Sequence, residues 1–297
     1  MSAPLVGLTS WRLPGTWRAA IARCASWGAD GVQLEFGGLG RGPWLDDPGT
    51  LAALRAQARD RSVRLLAVAA NCLNDIGLAA PRGTAQARAV DAVLCRALDT
   101  AADLSVPLVL VPSFRRSAIV DGDTFDRTAR VLARAAAGAA ERGLVLAHES
   151  VLPPRRARAL LDRVGSPALR LALDTLNPVE AGQDPVEFVD ALGDRLADQI
   201  HLKDGPPGSG ESPLLGAGGA AVGATLDAVR RTGVAVRALV LENDYRDGRR
   251  DRPAADLAWA RRQAAVFPPA RPAGRPLTPT TPKADHDRDR PARALRA

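Results

Sequence analysis

The sequence predicts an α/β fold: a (β/α)8 TIM barrel in one domain, followed by a disordered C-terminal tail. Three observations carry that expectation. Short apolar runs and helix-patterned stretches alternate eight times along the chain. The apolar runs are continuous, as strands buried on both faces of a parallel sheet are. No Gly-x-Gly-x-x-Gly follows the first strand, which disfavours the competing doubly wound open sheet. Eight such units in a chain of 297 residues match the size of a barrel folded as one domain.

The units follow in order. Residues 5–9 (LVGLT) are the first strand, and 17–27 have helical spacing that closes at Gly28. The second strand, 31–36, leads through a Gly-rich loop to Asp47-Pro48, where Asp is an N-cap and Pro the first helical residue of a helix reaching about Asp60. Residues 63–69 form the third strand, with Asn71 and Cys72 at its end, and an Ala-rich helix covers 84–103. The fourth strand, 107–111, is followed by a helix opened by Asp123 and ended at Gly143. The fifth is 144–149, before a helix over 155–164; the sixth is 169–174, before a helix from Asp184-Pro185 to about Leu196. The seventh begins at Asp198 and runs into His201-Leu-Lys203-Asp204-Gly205, with a helix over 220–231 beyond its loop. Residues 237–242 and a helix over 253–266 complete the eighth unit. The barrel is thus expected over residues 1–267 and a Pro/Arg-rich tail over 268–297.

Bulk composition excludes several classes. The net charge is +7, but seven cations against three acids lie beyond residue 268, so the barrel itself is nearly balanced. It lacks the concentrated basic stripe of a nucleic-acid-binding face. Cys24, Cys72 and Cys95 are odd in number and widely spaced, forming neither a disulfide framework nor a zinc pattern. No apolar run approaches the ~18 residues of a membrane span, and no signal segment opens the chain. A cytoplasmic protein is expected. Of its 40 cations only Lys203 and Lys283 are lysines; the Lys in His201-x-Lys203 is a compact charge with an adjustable pKa, which Arg is not.

Barrel active sites form where strands end, at the C-terminal rim. Four consecutive strands end in metal-competent side chains: Glu149, Asp174, His201 and Glu242. Alternation puts residues two apart on one face, so Ala147, Ala172 and Val240 point inward with them while Leu173 and Leu241 face the helices. The same rule turns His148 away, as a structural or supporting histidine. Three carboxylates and one imidazole suit one divalent ion of the Mn²⁺, Mg²⁺ or Co²⁺ type.

With these residues in view, the chain resembles the xylose-isomerase-like barrels, which include sugar and sugar-phosphate isomerases and epimerases. The resemblance spans about residues 4–266 and rests on the run from Gly28 to Glu35, on Glu149, on Leu-Asp174-Thr175, on His201-Leu-Lys203-Asp204, on Leu215-Gly216-Ala-Gly218 and on Leu-Glu242. It implies that Glu149, Asp174, His201 and Glu242 bind the metal and that Glu149 and Glu242 form the acid/base pair. The implied chemistry is proton abstraction from a sugar-like ketose through a metal-stabilised enediolate. Candidate substrate contacts are Glu35, Asn71, Asn177, Lys203 and Arg155, with Arg115, Arg116 and Arg156 as further anion-binding candidates and Trp11, Trp44 and Phe114 as an apolar wall. Lys203 is expected deeper in the barrel, within reach of Glu242, and Asp204 is expected to orient its neighbours.

Two departures bear on the substrate. Asn177 stands where related epimerases often have histidine, and 153–156 (PPRR) replaces an acid. A dehydratase acting on an inosose- or dehydroshikimate-like substrate is the rival outcome. Abasic-site endonucleases of similar fold need more histidines than three, and a non-catalytic barrel subunit would not need all four ligands. The expected partner is a small sugar-like molecule, with a homo-oligomer as the assembly open to it.

Overall fold

The computed structural model describes residues 3–38 and 40–268. Apart from Pro268, the tail expected over 268–297 lies outside the described residues. Eight strands alternate with helices: β1 (Leu5–Thr9), α1 (Trp17–Trp27), β2 (Gly31–Glu35), α2 (Pro48–Asp60), β3 (Arg64–Ala69), α3 (Leu73–Ile76), α4 (Ala85–Asp103), β4 (Leu108–Pro112), α5 (Gly122–Glu141), β5 (Val145–Glu149), α6 (Pro154–Val164), β6 (Leu169–Asp174), α7 (Asn177–Glu180), α8 (Pro185–Leu192), β7 (Leu196–Leu202), α9 (Val222–Thr232), β8 (Ala238–Leu241) and α10 (Asp251–Ala265). Every strand pairs in parallel with its sequence neighbours, and β8 pairs with β1 to close the barrel. Closure leaves no edge strand.

Local chemistry sets most helix boundaries. Asp47 accepts from the Thr50 N–H with Pro48 in the first turn, and Thr84 accepts from the Ala87 N–H. The expected opener of α5, Asp123, is corrected to Asp121: its side chain accepts from the Thr124 N–H, while the Thr124 side chain accepts from the Asp121 N–H. Helix α8 stops at Leu192 rather than near Leu196, and β7 starts at Leu196 rather than Asp198. A 3-10 turn, Gly193–Arg195, fills the interval, and a Cβ on Gly193 would lie 2.4 Å from the Thr232 methyl. The short rim helices α3 and α7 were not foreseen; four residues are too few to show a helical period.

Packing follows the expected alternation. Ala67, Ala69, Leu108, Leu110, Ala147 and Ala197 form a cluster, with Ala172 and Trp11 packed on it. Leu66, Ala238 and Val240 form a second, with Leu5. These fill the barrel interior, whereas Leu173 and Leu241 belong to the large shell between strands and helices. Small interior residues leave room for the polar side chains described below. All three cysteines are free thiols. Among the described residues no helix is long and apolar enough to cross a membrane.

His148 lies on the outward side of β5, buried, with neither ring nitrogen hydrogen-bonded. Burial lowers its pKa to about 4, because charging the ring there would strip it of water. Between the ordinary value of 6.5 and about 4, the unfolded chain binds a proton that the folded chain does not, so stability falls as pH drops through that window. The full contribution is on the order of 3 kcal/mol. His148→Leu should remove this part of the acid sensitivity; urea unfolding of both proteins between pH 7 and 4 measures it, and parallel pH profiles would refute it.

Candidate metal centre and active site

The ends of β5, β6, β7 and β8 bring together Glu149, Asp174, His201 and Glu242, all buried. One ligand atom from each lies within 4.8 Å of every other. Each carboxylate commits an oxygen to the protein. Glu149 Oε1 accepts from Asn177 Nδ2 at 2.8 Å. Asp174 Oδ1 accepts from the backbone N–H groups of Leu176 and Asn177 at 2.9 and 2.6 Å. Glu242 Oε1 accepts from Trp11 Nε1 at 2.9 Å and faces Arg12 Nε at 3.4 Å.

The remaining atoms are the informative ones. Asp174 Oδ2, His201 Nδ1 and Glu242 Oε2 are buried without a hydrogen-bond partner. His201 Nδ1 and Glu242 Oε2 are 2.8 Å apart, yet do not meet in hydrogen-bonding geometry. Unpartnered buried polar atoms cost about 1–3 kcal/mol each, and three that converge on one point need a shared partner. A hard, oxygen-preferring divalent cation fits this donor set.

The charges support the same reading. Burial raises Glu149 to about 8, with His201 and Lys203 opposing and Glu242 and Asp174 reinforcing the shift. Burial also raises Asp174 against the pull of Lys203. At Glu242 burial pushes upward, but His201, Arg12 and Lys203 outweigh it and leave the carboxyl below its ordinary range. At His201 burial pushes down, and the charges of Glu242, Glu149 and Asp174 push up and outweigh it. The two glutamates are therefore unequal: Glu149 is held by a neutral amide, Glu242 by an indole N–H and a guanidinium.

The surrounding segments explain the sequence motifs. Thr175 Oγ donates to the Lys203 carbonyl and accepts from the Lys203 N–H, at 2.7 and 2.9 Å, tying the ends of β6 and β7 together. Asp204 orients its neighbours as expected: its carboxylate accepts from the N–H groups of Gly205, Gly216, Gly218 and Ala220. A Cβ on Gly218 would lie 2.3 Å from Asp204 Oδ1, so the loop closes on this carboxylate only with glycine there.

The candidate substrate contacts divide. Asn177 donates to Glu149 and accepts from Lys203 Nζ at 3.2 Å. Lys203 thus stands beyond the end of β7, on the rim and not deeper in the barrel, and its partner is Asn177 rather than Glu242. Parity gave its face correctly but the direction along the strand was misjudged. Glu35 and Asn71 join at 3.0 Å, and burial raises Glu35 to about 7 against Asn71 and Arg41. A cavity of about 360 Å³ is lined by Trp11, Glu35, Arg41 and Arg246, sharing Trp11 with the cluster.

Arg155 instead lines an outer groove with Asp123, Asp126 and Phe125, between the starts of α5 and α6. None of the four cluster residues lines that groove. Arg156 stacks on Phe125, and Arg115 pairs with Asp75. Trp44 packs on Phe36 and Arg96. Trp11 of the proposed aromatic wall is tied to the cluster, with its ring 6.0 Å from the His201 ring. Trp11 and Arg12 as Glu242 partners escaped the sequence reading, as did Gln33 and Gln199, buried amides at inward positions of β2 and β7. The signal for the amides was present: polar residues two positions before Glu35 and His201.

The class these features define is a (β/α)8 barrel with a candidate metal site, three buried carboxylates and one histidine, at its rim. Residues 21–263 match the xylose isomerase-like TIM barrel family model, and the chain belongs to that family. It is 58% identical over 259 residues to a 2-epi-5-epi-valiolone 7-phosphate 2-epimerase of an Actinoplanes sp., covering 87% of this chain and 94% of that protein. Solved structures share the fold. A D-allulose 3-epimerase from Methylomonas sp. has a TM-score of 0.69 at 18% identity, over 89% of this chain and 99% of that one. A D-psicose 3-epimerase from Clostridium cellulolyticum H10 has 0.71 at 14%, over 89% and 99%.

The geometry predicts that the purified chain retains a divalent ion after desalting, and that Glu149→Gln and His201→Ala each lose it. Elemental analysis by mass spectrometry reads this directly. Unchanged metal content in both variants would rule the cluster out as the site.

Proposed function

We propose that this chain is a divalent-metal-dependent epimerase that inverts a carbon next to the carbonyl of a phosphorylated, sugar-like ketone. The carrying observation is the convergence of unpartnered donors from Asp174, His201 and Glu242, with Glu149 beside them. The 58% identical relative, named as a 2-epimerase of a phosphorylated valiolone, supports inversion as the outcome and a phosphorylated cyclic ketone as the substrate class.

Glu149, Asp174, His201 and Glu242 would hold Mn²⁺, Mg²⁺ or Co²⁺, and such an ion would polarise a carbonyl and a neighbouring hydroxyl oxygen. The rest falls to the chain's own groups. Inversion needs one group to take a carbon-bound proton and another to return it on the opposite face. Glu149 and Glu242 are assigned these roles, on β5 and at the end of β8. Asn177 keeps the Glu149 carboxyl aimed, and Trp11 and Arg12 do the same for Glu242. Lys203, steadied by Asn177, is placed to meet a substrate oxygen. Trp11 stands between the cluster and the cavity, and Arg41, paired with Glu35 and Asp75, and Arg246, paired with Asp244, are the cavity's cations that would meet a phosphate. The hard donor set includes no thiolate, which is why these three ions are preferred over a zinc-type site.

Incubating the enzyme with a keto-cyclitol phosphate in D2O tests the reading. Deuterium should enter the carbon beside the carbonyl without loss of water, and Glu149→Gln and Glu242→Gln should each slow exchange by roughly 10²–10⁴-fold. An enone absorbance with no exchanged starting material would show dehydration instead and reject the epimerase assignment.

A further inference from the structure

Gln33 and Gln199 are buried at 1% and 3% exposure inside the barrel, below the metal cluster. They form a continuous chain of hydrogen bonds. Gln199 Nε2 donates to the Leu66 carbonyl at 2.8 Å. Gln33 Nε2 donates to Gln199 Oε1 at 3.0 Å. Gln33 Oε1 then meets His201 Nε2 at 2.8 Å.

The direction of this chain follows from its first member. A backbone carbonyl only accepts, so the Gln199 amide must turn its NH2 toward Leu66 and its oxygen toward Gln33. Gln33 must then give its NH2 to Gln199, which leaves only its oxygen for the histidine. His201 must therefore carry its hydrogen on Nε2. The other ring nitrogen, Nδ1, is the one aimed at the cluster and left without a hydrogen-bond partner. Reversing either amide would set two acceptors or two donors against each other.

The anchor is itself prepared by the fold. The pairing of β2 with β3 runs Val32 to Leu65 and then Gln33 to Ala67, so Leu66 is an extra residue in the ladder. Consistent with a bulge, Leu66 and Ala67 both sit in interior clusters although they are adjacent. The bulge takes Leu66 out of the strand pairing with β2, where its carbonyl receives Gln199. Space for its side chain comes from two glycines: a Cβ on Gly7 would lie 2.5 Å from Leu66 Cδ1, and one on Gly31 would lie 2.8 Å from Leu66 Cγ.

We infer that Gln33 and Gln199 are positioning residues of the metal centre, a relay that carries the orientation of the Leu66 carbonyl to His201 and presents the Nδ1 lone pair to the ion. A ligand histidine is held in this way by whatever its second nitrogen bonds. Here that partner is a neutral amide, fixed in turn by a second amide that never touches the histidine. The inference rests on the metal-centre reading of the preceding subsection.

Calorimetric titration of Mn²⁺ into the metal-stripped full chain tests it, alongside thermal melts of the metal-free proteins. Gln33→Met should weaken Mn²⁺ binding by roughly 10- to 100-fold. Gln199→Met should weaken it too, because Gln33 is then free to turn over. Gln33→Glu, in its protonated form, keeps an acceptor under Nε2 and an O–H donor toward Gln199 Oε1; it should recover most of the affinity, which distinguishes positioning from general damage even if Gln33→Met folds poorly. Wild-type affinity in Gln33→Met would overturn the proposal, and wild-type affinity in Gln199→Met would overturn the relay. Failure of the unsubstituted chain to bind Mn²⁺ would instead remove the metal centre on which the proposal stands.

Discussion

Three carboxylates and an imidazole buried with their ligand atoms within 4.8 Å of one another are the constraint around which this molecule is arranged. Like charges at that spacing repel and burial removes the water that would screen them. Within the four, His201 alone opposes that repulsion. What holds them is the closed hydrogen-bonded ring of strands, which fixes where each strand ends before any side chain is considered. The fold thus maintains an arrangement of carboxylates that is locally unfavourable, a pattern expected where function overrides local stability.

Around that cluster the protein treats its groups unequally. Glu149 is approached by an amide that also receives Lys203, whereas Glu242 is approached by an indole N–H and a guanidinium. A pair of acids required to exchange a proton in opposite senses benefits from such a difference, because identical surroundings would give both the same affinity for it. The asymmetry comes from the loops after β1 and β6, so it can be changed without altering the strands.

The barrel and the four-residue cluster were legible in the sequence because both depend on period and position. Continuous apolar runs marked the strands, and one metal-competent residue stood at the same place in four of them. Inward and outward faces followed by counting: Ala147, Ala172 and Val240 pack inside, Leu173 and Leu241 outside. Partnerships across the barrel were not legible. Trp11 meets Glu242 across 231 positions and Gln33 meets His201 across 168, and nothing local in either segment announces the other. Arg155 was misplaced for a related reason: it sits in the first turn of α6, beside the start of α5, a neighbourhood that spacing along the chain does not encode. The bulge at Leu66 was likewise invisible, since it is a property of two strands together.

The Asp204 clasp has a consequence for how such a chain can diversify. One carboxylate gathers amides from both ends of the segment after β7, at Gly205 and at Gly216, Gly218 and Ala220. Residues 206–215 hang between these fixed points like a bead on a closed ring. The clasp stands between that segment and His201, three positions before it, and so buffers the cluster against change in the segment. The loop can thereby vary in sequence while the strand end that carries His201 keeps its frame.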